Sequence, residues 1–440
     1  MGNKKVIFFV AFFMIFGSCY LKASEFRKFE LSARAATLGG AFAARADDVS
    51  AVFYNPSGLA FLPGIRLKTN IYYQQLKSIA EFPVVPQTYK STTNQIRGSY
   101  FISLNIKERF GFGIGGFTPN SMNLKWPVDW IGNALSIHSK LNTFYIRPVV
   151  AVKISNHLAV GVGMDFIFSD VAWLYNKIFT FQEIGPGYQQ PYNSDSKVSG
   201  KGLGFVAGVM VRISDSLRVG GRYQPKVKLD LEGSHNFSIF LGSEPPILAN
   251  REVTSTLTMP QEFVLGLMYL PGKNLSLQID LQWTGMSEIK QWEFNLDPQF
   301  YDDYEQYYGI RPDYARQGVD LNLRNTTRFM FGVEYILKNS IALRAGYTYH
   351  TSAANDQMLH PVFLGLDTNM LSLGIGYDGA MFSIWRTEER SGEFSFDVFF
   401  QYGFSSSRES ALPELSAVYK TNPWSLGVGI GFNWGSLKKS

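Results

Sequence analysis

The sequence has few charged residues, a single cysteine and, beyond residue 23, no long apolar run. Charged residues make up 18% of the 440 residues, against about 25% in ordinary soluble domains. Because a membrane-spanning helix needs about 18 consecutive apolar residues, no such helix is predicted past residue 23. The exported chain is therefore either soluble or crosses a membrane as a closed β-barrel.

Signals for nucleic-acid binding, metal binding and catalysis are also missing. The net charge of +5 is spread along the chain without a Lys/Arg run, which argues against a nucleic-acid partner. The five histidines show no metalloprotease or zinc-finger spacing, and no nucleophile elbow occurs. We therefore expect no enzyme, no metal and no cofactor. The enzyme alternative left open is a barrel phospholipase that assembles Ser, His and Asn in space.

The N-terminus has the pattern of an export signal. Two lysines precede the apolar run Val6–Phe16, and small residues follow. Cleavage after Ala23 gives a signal peptide of residues 1–23 and leaves a mature chain without cysteine, so no disulfide framework is expected. Lipoprotein processing at Cys19 is the alternative.

Aromatic residues and glycine are abundant, at 15% of the chain and 41 residues. From residue 65 onward, apolar and other residues alternate with a period of two, as in WSLGVGIGFNW at 424–434, which predicts β-strands with one apolar face. Fourteen strands are expected, centred near residues 69, 101, 114, 148, 162, 208, 222, 263, 279, 331, 345, 374, 399 and 429.

Two observations favour an all-β transmembrane antiparallel barrel over a soluble β-sandwich, which would also alternate. Aromatic residues lie toward the strand ends, as in the girdles at membrane interfaces. Long and short connections also alternate, which is typical of bacterial outer-membrane barrels. The long connections are expected at 75–95, 118–142, 169–202, 231–255, 284–325, 351–369 and 405–423.

The other face of the strands is predicted to line the lumen. It carries seven cations and four carboxylates, which predicts a mildly positive interior: Arg147, Lys153, Arg212, Arg218, Arg222, Arg328 and Arg344, with Asp165, Asp280, Glu334 and Asp397. In lipid each such charge costs several kcal/mol near the midplane, whereas in a lumen it pairs or meets water.

The segment 24–63 differs from the barrel predicted for 64–440. It is rich in Ala, Gly and Ser, with two helical patches at 32–38 and 42–46 separated by Gly39-Gly40. These small side chains form no core of their own but suit short helices in a confined space, which predicts a plug, or hatch, inside the barrel.

The hatch segment SARAATLGGAFAARADDVSAVFYNPSGLA at 32–60 resembles the N-terminal hatch of the FadL/TodX family of outer-membrane transporters. The resemblance continues along most of residues 29–434, through LKWPVDWIG, KGLGFVAGVMVRISDSLRVGGRYQPKVKLDLEG and TTRFMFGVEYILKNSIALRAGYTYH. It implies a monomeric fourteen-stranded barrel that takes up long-chain fatty acids or other hydrophobic compounds. It also implies a hatch at the periplasmic end, a kinked third strand that opens a lateral path, and a hydrophobic groove formed by extracellular loops.

The resemblance also implies roles for individual residues. The family's Asn-Pro-Ala hatch motif falls on Asn55, Pro56 and Ser57, with Ser in place of Ala, and Gly58 completes the predicted gate. In the third strand, FGFGIGGFTPN, the kink is expected at Gly115, Gly116 and Pro119 because glycine and proline weaken ladder pairing. The G-x-G-x-x-G letters of the same strand open no helix and are not a nucleotide site.

A fatty-acid cargo needs a cation for its carboxylate, and arginine keeps its charge in a dry pocket. The candidates are the predicted lumen residues Arg147, Arg212, Arg222 and Arg344; the alternative for each is an ion pair with a lumen carboxylate. The loops 122–132 and 237–249 are candidates for the extracellular groove, or else pack on neighbouring loops.

The Tyr-rich loop 299–314 has three possible roles: a surface cover, a phage-receptor site, or a calcium site through Asp302, Asp303 and Glu305, although these carboxylates lack a loop-ligand spacing. The expected function is passive transport across the outer membrane. The expected partners are outer-membrane lipid and a fatty acid, an alkane or an aromatic compound. The alternatives are a surface structural or adhesin barrel with a closed lumen, or an aromatic hydrocarbon channel.

Overall fold

The computed structural model describes residues 30–83, 86–180, 189–239, 247–297, 316–337, 340–354, 359–380, 393–412 and 415–434. The expected signal peptide, with Cys19, and the Tyr-rich loop 299–314 lie outside these residues. The groove candidate 237–249 lies largely outside them as well. Among the described residues, no helix has the length and apolar character needed to span a membrane.

The described chain forms a closed antiparallel β-barrel of fourteen wall strands, which confirms the predicted fold class and strand number. The first strand pairs with the last from Ile65 with Trp434 to Glu81 with Val418, so the sheet closes on itself. The strand segments are β1 Ile65–Phe82, β2 Gln87–Ile106, β3 Phe110–Phe117, β4 Ser121–Lys125, β5 His138–Lys153, β6 Leu158–Thr180, β7 Gln189–Arg212, β8 Leu217–Gln224, β9 Val227–Ile239, β10 Ile247–Met259, β11 Glu262–Tyr269, β12 Leu275–Thr284, β13 Gln291–Leu296, β14 Arg316–Asp320, β15 Thr326–Ile336, β16 Ile341–His350, β17 Thr368–Ala380, β18 Glu393–Ser405, β19 Arg408–Glu409 and β20 Val418–Trp434.

Five wall strands consist of two segments each, and β19 is a short addition beside β20. The interrupted strands are β3/β4, β8/β9, β10/β11, β12/β13 and β14/β15. In β8/β9, β10/β11 and β12/β13 both segments pair with the same two neighbouring wall strands, whereas β4 pairs with β5 alone and β14 with β13 alone. Each of the fourteen predicted strand centres falls inside one of these wall strands.

The predicted long loops are only partly correct. Residues 75–95 and 169–202 were expected as loops, but β1 and β2 form a hairpin up to Phe82 and Gln87, and β6 and β7 extend to Thr180 and Gln189. A strand needs about 9–11 residues to cross the bilayer, and β6 has 23. The hairpins therefore extend beyond the membrane, where they need no apolar face and leave no period-two signal.

Outward-facing side chains form the apolar band expected of a barrel in lipid. On β20, Leu426, Val428 and Trp434 are exposed, while Ser425 and Gly429 are buried toward the lumen. The same alternation continues on the other strands and confirms which face meets the bilayer.

The hatch lies inside the barrel, before β1. It contains α1 (Ala33–Thr37), α2 (Ala51–Tyr54) and a 3-10 helix, Pro56–Phe61. The predicted helical patch 42–46 is wrong: it is one turn closed by the Ala46 N–H donating to the Phe42 carbonyl at 2.8 Å. The Asp280 carboxylate of the wall accepts the N–H groups of Phe42 and Ala43, and these bonds rather than helix propensity fix the backbone there. Gly39 and Gly40 adopt positive φ angles of 63° and 86°, which end α1.

Candidate functional site

Of the predicted gate residues, Asn55 joins α2 to the 3-10 helix, and Pro56, Ser57 and Gly58 form the first turn of that helix. The Asn55 amide donates to the carbonyls of Ala43, at 2.8 Å, and Val209, at 3.0 Å. Its oxygen accepts from the Ser57 hydroxyl at 2.6 Å. Pro56 is the first residue of the 3-10 helix, where its missing N–H costs nothing. The Asn55 side chain thus ties two hatch segments to β7.

The hatch approaches the wall closely because the wall carries glycine where they meet. A Cβ placed on Gly208 would lie 2.2 Å from the Asn55 amide oxygen, and one on Gly220 would lie 2.1 Å from the Ala43 carbonyl oxygen. We call this set the glycine belt; its members are Gly111, Gly161, Gly208, Gly220, Gly266, Gly332, Gly346, Gly374 and Gly429. A side chain at any of these positions would collide with hatch atoms.

Two of the predicted ligand arginines, Arg147 and Arg222, hold the hatch. Both donate to the carbonyl of Phe53 in α2, at 3.4 and 3.2 Å. Arg147 is also paired with Asp165 through bonds of 2.5 and 2.8 Å, and Arg222 with Glu262 at 2.9 Å. Both guanidinium groups lie over the Phe53 ring as well, within 5.6 Å of its centroid.

The third candidate, Arg344, belongs to an ion-pair network that joins wall and hatch. It pairs with Glu334 and Asp397 at 2.5 Å each. Lys68 then links Asp397, at 2.9 Å, to Asp48 of the hatch, at 2.7 Å. Burial alone would raise the pKa of the Asp48 carboxyl, but Lys68 and Arg34 outweigh it and hold that pKa well below its usual range. Asp48 therefore stays charged in this network.

The sequence places Glu334, Arg328 and Asp280 in the lumen but does not identify them as hatch anchors. Arg45 of the hatch pairs with Glu334, and Arg328 of β15 pairs with Glu30. The Asp280 carboxylate accepts the backbone N–H groups of Phe42 and Ala43, at 2.8 and 2.7 Å. The predicted count of lumen charges was incomplete because it left out the hatch charges and Glu262.

Arg212, the fourth candidate, lies at the end of β7, away from these networks. Its guanidinium carbon is 3.6 Å from the centroid of the Phe61 ring, in the 3-10 helix. Among the described residues it forms no ion pair with a carboxylate, which separates it from the other three.

The third wall strand is interrupted at residues 118–120, between β3 and β4. Pro119 lies in the interruption, and Gly115 and Gly116 lie just before it in β3. β2 is laddered to β3 only from Ile106 to Tyr100, and side chains bridge β2 to β4 above that point. The Thr93 hydroxyl donates to the Asn123 carbonyl at 2.9 Å, and Arg97 donates to the Ser121 hydroxyl. β2 and β4 therefore have no backbone ladder between them, and side-chain hydrogen bonds join them instead.

Phe117, the last residue of β3, brings the hatch to this interruption. Its ring centroid lies 5.1 Å from that of Phe53 of α2, 6.0 Å from Phe101 and 5.9 Å from Tyr145. The four rings form one aromatic cluster, which we call the gap cluster. It joins the hatch directly to the edge of the opening.

The predicted groove loop 122–132 packs on its neighbours. The rings of Trp126 and Trp130 are stacked at 4.6 Å, and their indole N–H groups donate to the carbonyls of Pro361 and Ser136. This extracellular cluster also contains Ala80, Phe82, Leu124, Ala354, Leu359, Leu364, Leu366, Leu415, Ala417 and Tyr419. The packing alternative given above describes most of this loop.

A cavity of about 440 Å³ lies beside this cluster, between β4–β5 and β9–β13. Its apolar wall includes Met122, Leu141, Leu257, Trp292, Leu321 and Phe363. Lys228, Lys290, Glu288 and Glu293 supply charge around it. This volume lies at the small end of the range for ligand pockets.

No cluster of three or more metal-ligating side chains occurs among the described residues. His360 is buried in the extracellular cluster, where its Nδ1 accepts from the Val362 N–H at 3.1 Å. Burial lowers the pKa of His360 to about 3. The ring is therefore neutral at physiological pH.

A closed barrel with an inner hatch, an apolar band toward lipid and an interrupted wall strand defines an outer-membrane transport channel. The profile of the family described as outer membrane protein transport protein (OMPP1/FadL/TodX) matches residues 14–381. The chain belongs to this family of transporters for hydrophobic compounds, which is not an enzyme family. The outer-membrane location predicted above is confirmed.

Curated relatives and solved structures agree with this assignment. An outer membrane protein of Neisseria meningitidis serogroup B is 22% identical over 383 residues, covering 77% of this chain and 78% of that protein. A Pseudomonas aeruginosa FadL homologue superposes with a TM-score of 0.79 at 16% identity, covering 93% of this chain and all of that one. The Pseudomonas putida toluene transporter TodX gives 0.71 at 14% identity, covering 93% and 99%. At these identities the solved structures establish the fold alone.

Proposed function

We propose that the protein is a passive transporter that takes up long-chain fatty acids or other hydrophobic compounds through the outer membrane. The cargo enters the 440 Å³ extracellular cavity, passes toward the hatch and leaves through the interrupted wall between β2 and β4. No energy source is needed, because an apolar molecule moves favourably from water into lipid.

The single observation that carries this proposal is the contact between Phe53 and Phe117. Phe53 belongs to the hatch and Phe117 ends β3, so a hatch displacement must change the packing at the edge of the opening. The backbone of β2 has no ladder partner on β4 there, and its remaining contacts are side-chain hydrogen bonds. Such contacts break one at a time without unfolding the wall.

Cargo opens the route only if it prefers the displaced hatch, because a ligand shifts an equilibrium by no more than its differential affinity. The hatch is held by the Phe53 carbonyl, the Asp280 carboxylate and the Asp48–Lys68 pair. Of these groups only the Phe53 carbonyl belongs to α2. A local shift of α2 therefore breaks the bonds from Arg147 and Arg222 and leaves the Asp280 and Asp48 contacts of the hatch in place.

A reversible disulfide tests the gating step. A Cβ built on Gly115 lies 3.0 Å from a γ-carbon of Val52, so the pair Val52→Cys/Gly115→Cys is close to disulfide geometry after small side-chain shifts. The bond would fix α2 to β3 beside the opening. In cells that carry this variant, we expect labelled fatty-acid uptake to be lost under oxidising conditions and restored by a reductant.

The single variants Val52→Cys and Gly115→Cys are the controls, since neither forms the bond. Heat-modifiable mobility in detergent gels verifies that every variant still forms a barrel. Wild-type uptake by the oxidised double variant would refute hatch gating. Wild-type cells that take up neither fatty acids nor hydrocarbons better than cells lacking the protein would refute transport altogether.

A further inference from the structure

Three lysines share one patch of the outer barrel surface, on the neighbouring strands β20, β1 and β2. Ile79 is the ladder partner of both Lys90 and Lys420, so these two lysines lie in one row across the three strands. Lys77 precedes Ile79 by two residues and therefore points to the same face. All three lysines are exposed. We call them the lysine patch.

The charges of the lysine patch are close together and unpaired within the described part of the chain. The strand spacing and the rise per residue place the three α-carbons about 8–10 Å apart. Because a lysine side chain is a flexible four-carbon stem, the three ammonium groups can converge on one anion. No carboxylate oxygen of a described residue lies within 4.0 Å of these nitrogens. Glu81, exposed on the same face of β1, leaves an excess of positive charge.

The lysine patch lies directly outside the extracellular aromatic girdle. Four residues nearer the membrane on β1 and β20 are Tyr73 and Trp424, whose ring centroids are 5.2 Å apart. Between girdle and lysines lies Gln75, which accepts the Trp424 indole N–H at 3.1 Å and donates to the Asn94 side chain at 3.0 Å. Moving outward from the apolar band, the surface therefore presents aromatic, amide and ammonium groups in turn.

This order matches the order of groups along a phosphorylated glycolipid. Its acyl chains lie against the apolar band, and aromatic side chains occupy the level of the head groups. Amide side chains can hydrogen-bond to sugar hydroxyls, and clustered lysines attract phosphate. The surface is thus complementary to such a lipid both in charge and in the sequence of its chemical groups.

A second lysine row, on β5, β6 and β7, has the same arrangement without the excess charge. Lys140 and Lys197 are both ladder partners of Ala172. Lys197 forms an ion pair with Asp195 at 2.6 Å, and Asp170 is exposed on the same face of β6. The lysine patch therefore differs from this row in its unpaired charge rather than in the number of its lysines.

We propose that the lysine patch binds the phosphate group of a glycolipid in the outer leaflet of the membrane. The inference does not depend on the proposed transport function, because the patch lies on the outer surface and the cargo route runs inside the barrel. The site joins the first wall strand to the last, where the barrel closes on itself. A bound lipid therefore stabilises the closure of the barrel, since a ligand that binds only the folded state opposes unfolding.

Binding of a defined lipid to the purified protein tests the site. Native mass spectrometry in non-ionic detergent compares lipid A, which carries phosphate on its glucosamine disaccharide, with its dephosphorylated form. EDTA is present so that no divalent cation bridges the lipid to carboxylates. We expect Lys77→Gln/Lys90→Gln/Lys420→Gln to bind lipid A about tenfold more weakly than wild type. The corresponding triple Lys→Arg variant should retain binding, because it keeps the charge.

The matched control removes three exposed lysines from the other side of the barrel, as Lys140→Gln/Lys197→Gln/Lys201→Gln. It should bind lipid A as wild type does. Heat-modifiable mobility in detergent gels verifies that each variant forms a barrel. Lipid A should also raise the thermal unfolding midpoint of the wild type more than that of the lysine-patch variant.

Three results would each overturn the glycolipid site. The first is equal weakening in the two triple Lys→Gln variants, which would indicate general charge attraction. The second is equal binding of phosphorylated and dephosphorylated lipid by the wild type. The third is tighter binding of phosphatidylglycerol than of lipid A, which would assign the lysine patch to a phospholipid instead.

Discussion

The two ends of the lumen are closed by different forces. At the hatch, ion pairs and hydrogen bonds reach from wall side chains to hatch atoms, as at Phe53 and Asp48. At the extracellular end, Trp126, Trp130 and their aliphatic neighbours close the space by packing. Polar contacts are directional and fix one arrangement, while apolar packing tolerates rearrangement. The proposed transport function would use both properties: we expect the hatch to occupy discrete positions and the extracellular end to adapt to varied molecules.

Breaking one buried ion pair at the hatch should give the largest effect. Asp165 is fully buried and accepts two hydrogen bonds from Arg147. Arg147→Met leaves this carboxylate without that cation and removes a donor to Phe53, so we expect a loss of about 3–5 kcal/mol in the free energy of unfolding. Urea unfolding in detergent micelles, followed by tryptophan fluorescence, measures it.

The matched control is Arg147→Met/Asp165→Leu, which removes both charges. It should recover most of the stability, because replacing a complete buried pair by apolar groups is often neutral. If the single and double variants lose equal stability, the unpaired Asp165 carboxylate is not the cause of the loss.

Loosening the gate turn should have an intermediate effect confined to the hatch. Asn55→Ala removes the bonds to Ala43, Val209 and Ser57, which together contribute about 2 kcal/mol. We expect faster amide hydrogen exchange in residues 40–60, an unchanged barrel unfolding midpoint, and impaired uptake. Asn94→Ala, at an exposed position, is the control. If Asn55→Ala loosens the hatch but transports at the wild-type rate, the turn is only a connector.

Acidification should have the smallest effect and act on the extracellular end. Burial lowers the pKa of His360 to about 3, against about 6.5 in an unfolded chain. The contribution of the neutral His360 ring to the free energy of unfolding is therefore complete above pH 6.5. It decreases as the pH falls toward 3, by about 1 kcal/mol at pH 5.5. Limited proteolysis at pH 7.5 and 5.5 would detect the change.

His360→Asn keeps an acceptor for the Val362 N–H without a titrating ring, so it should abolish this pH dependence. A pH effect of the same size in His360→Asn would assign the acid sensitivity to another group.

The sequence predicts the wall far better than the hatch. Alternation identifies every wall strand, because lipid imposes an apolar face on each of them. The hatch lacks such a rule: residues 42–46 have helical propensity but form a turn, since Asp280 binds the N–H groups of Phe42 and Ala43. Residues 51–54 form the helix instead.

Site residues are predictable in placement but not in partnership. The period of two puts Arg147 and Arg222 in the lumen correctly, yet their shared acceptor is a backbone carbonyl 94 and 169 residues away in the chain. A backbone carbonyl carries no residue-type signal. The sequence therefore shows that these arginines are buried but not that they hold the hatch.

The glycine belt has a consequence for engineering. Because the wall carries glycine where the hatch approaches it most closely, a barrel expressed without residues 30–63 would have positions without a side chain on its inner surface. Belt positions whose near neighbours are hatch atoms alone, such as Gly111, Gly161 and Gly220, would then have room for a new side chain. Substitutions at these positions would then set the diameter and charge of the pore, so one hatch-free barrel could give a series of pores that differ only in the side chains introduced there.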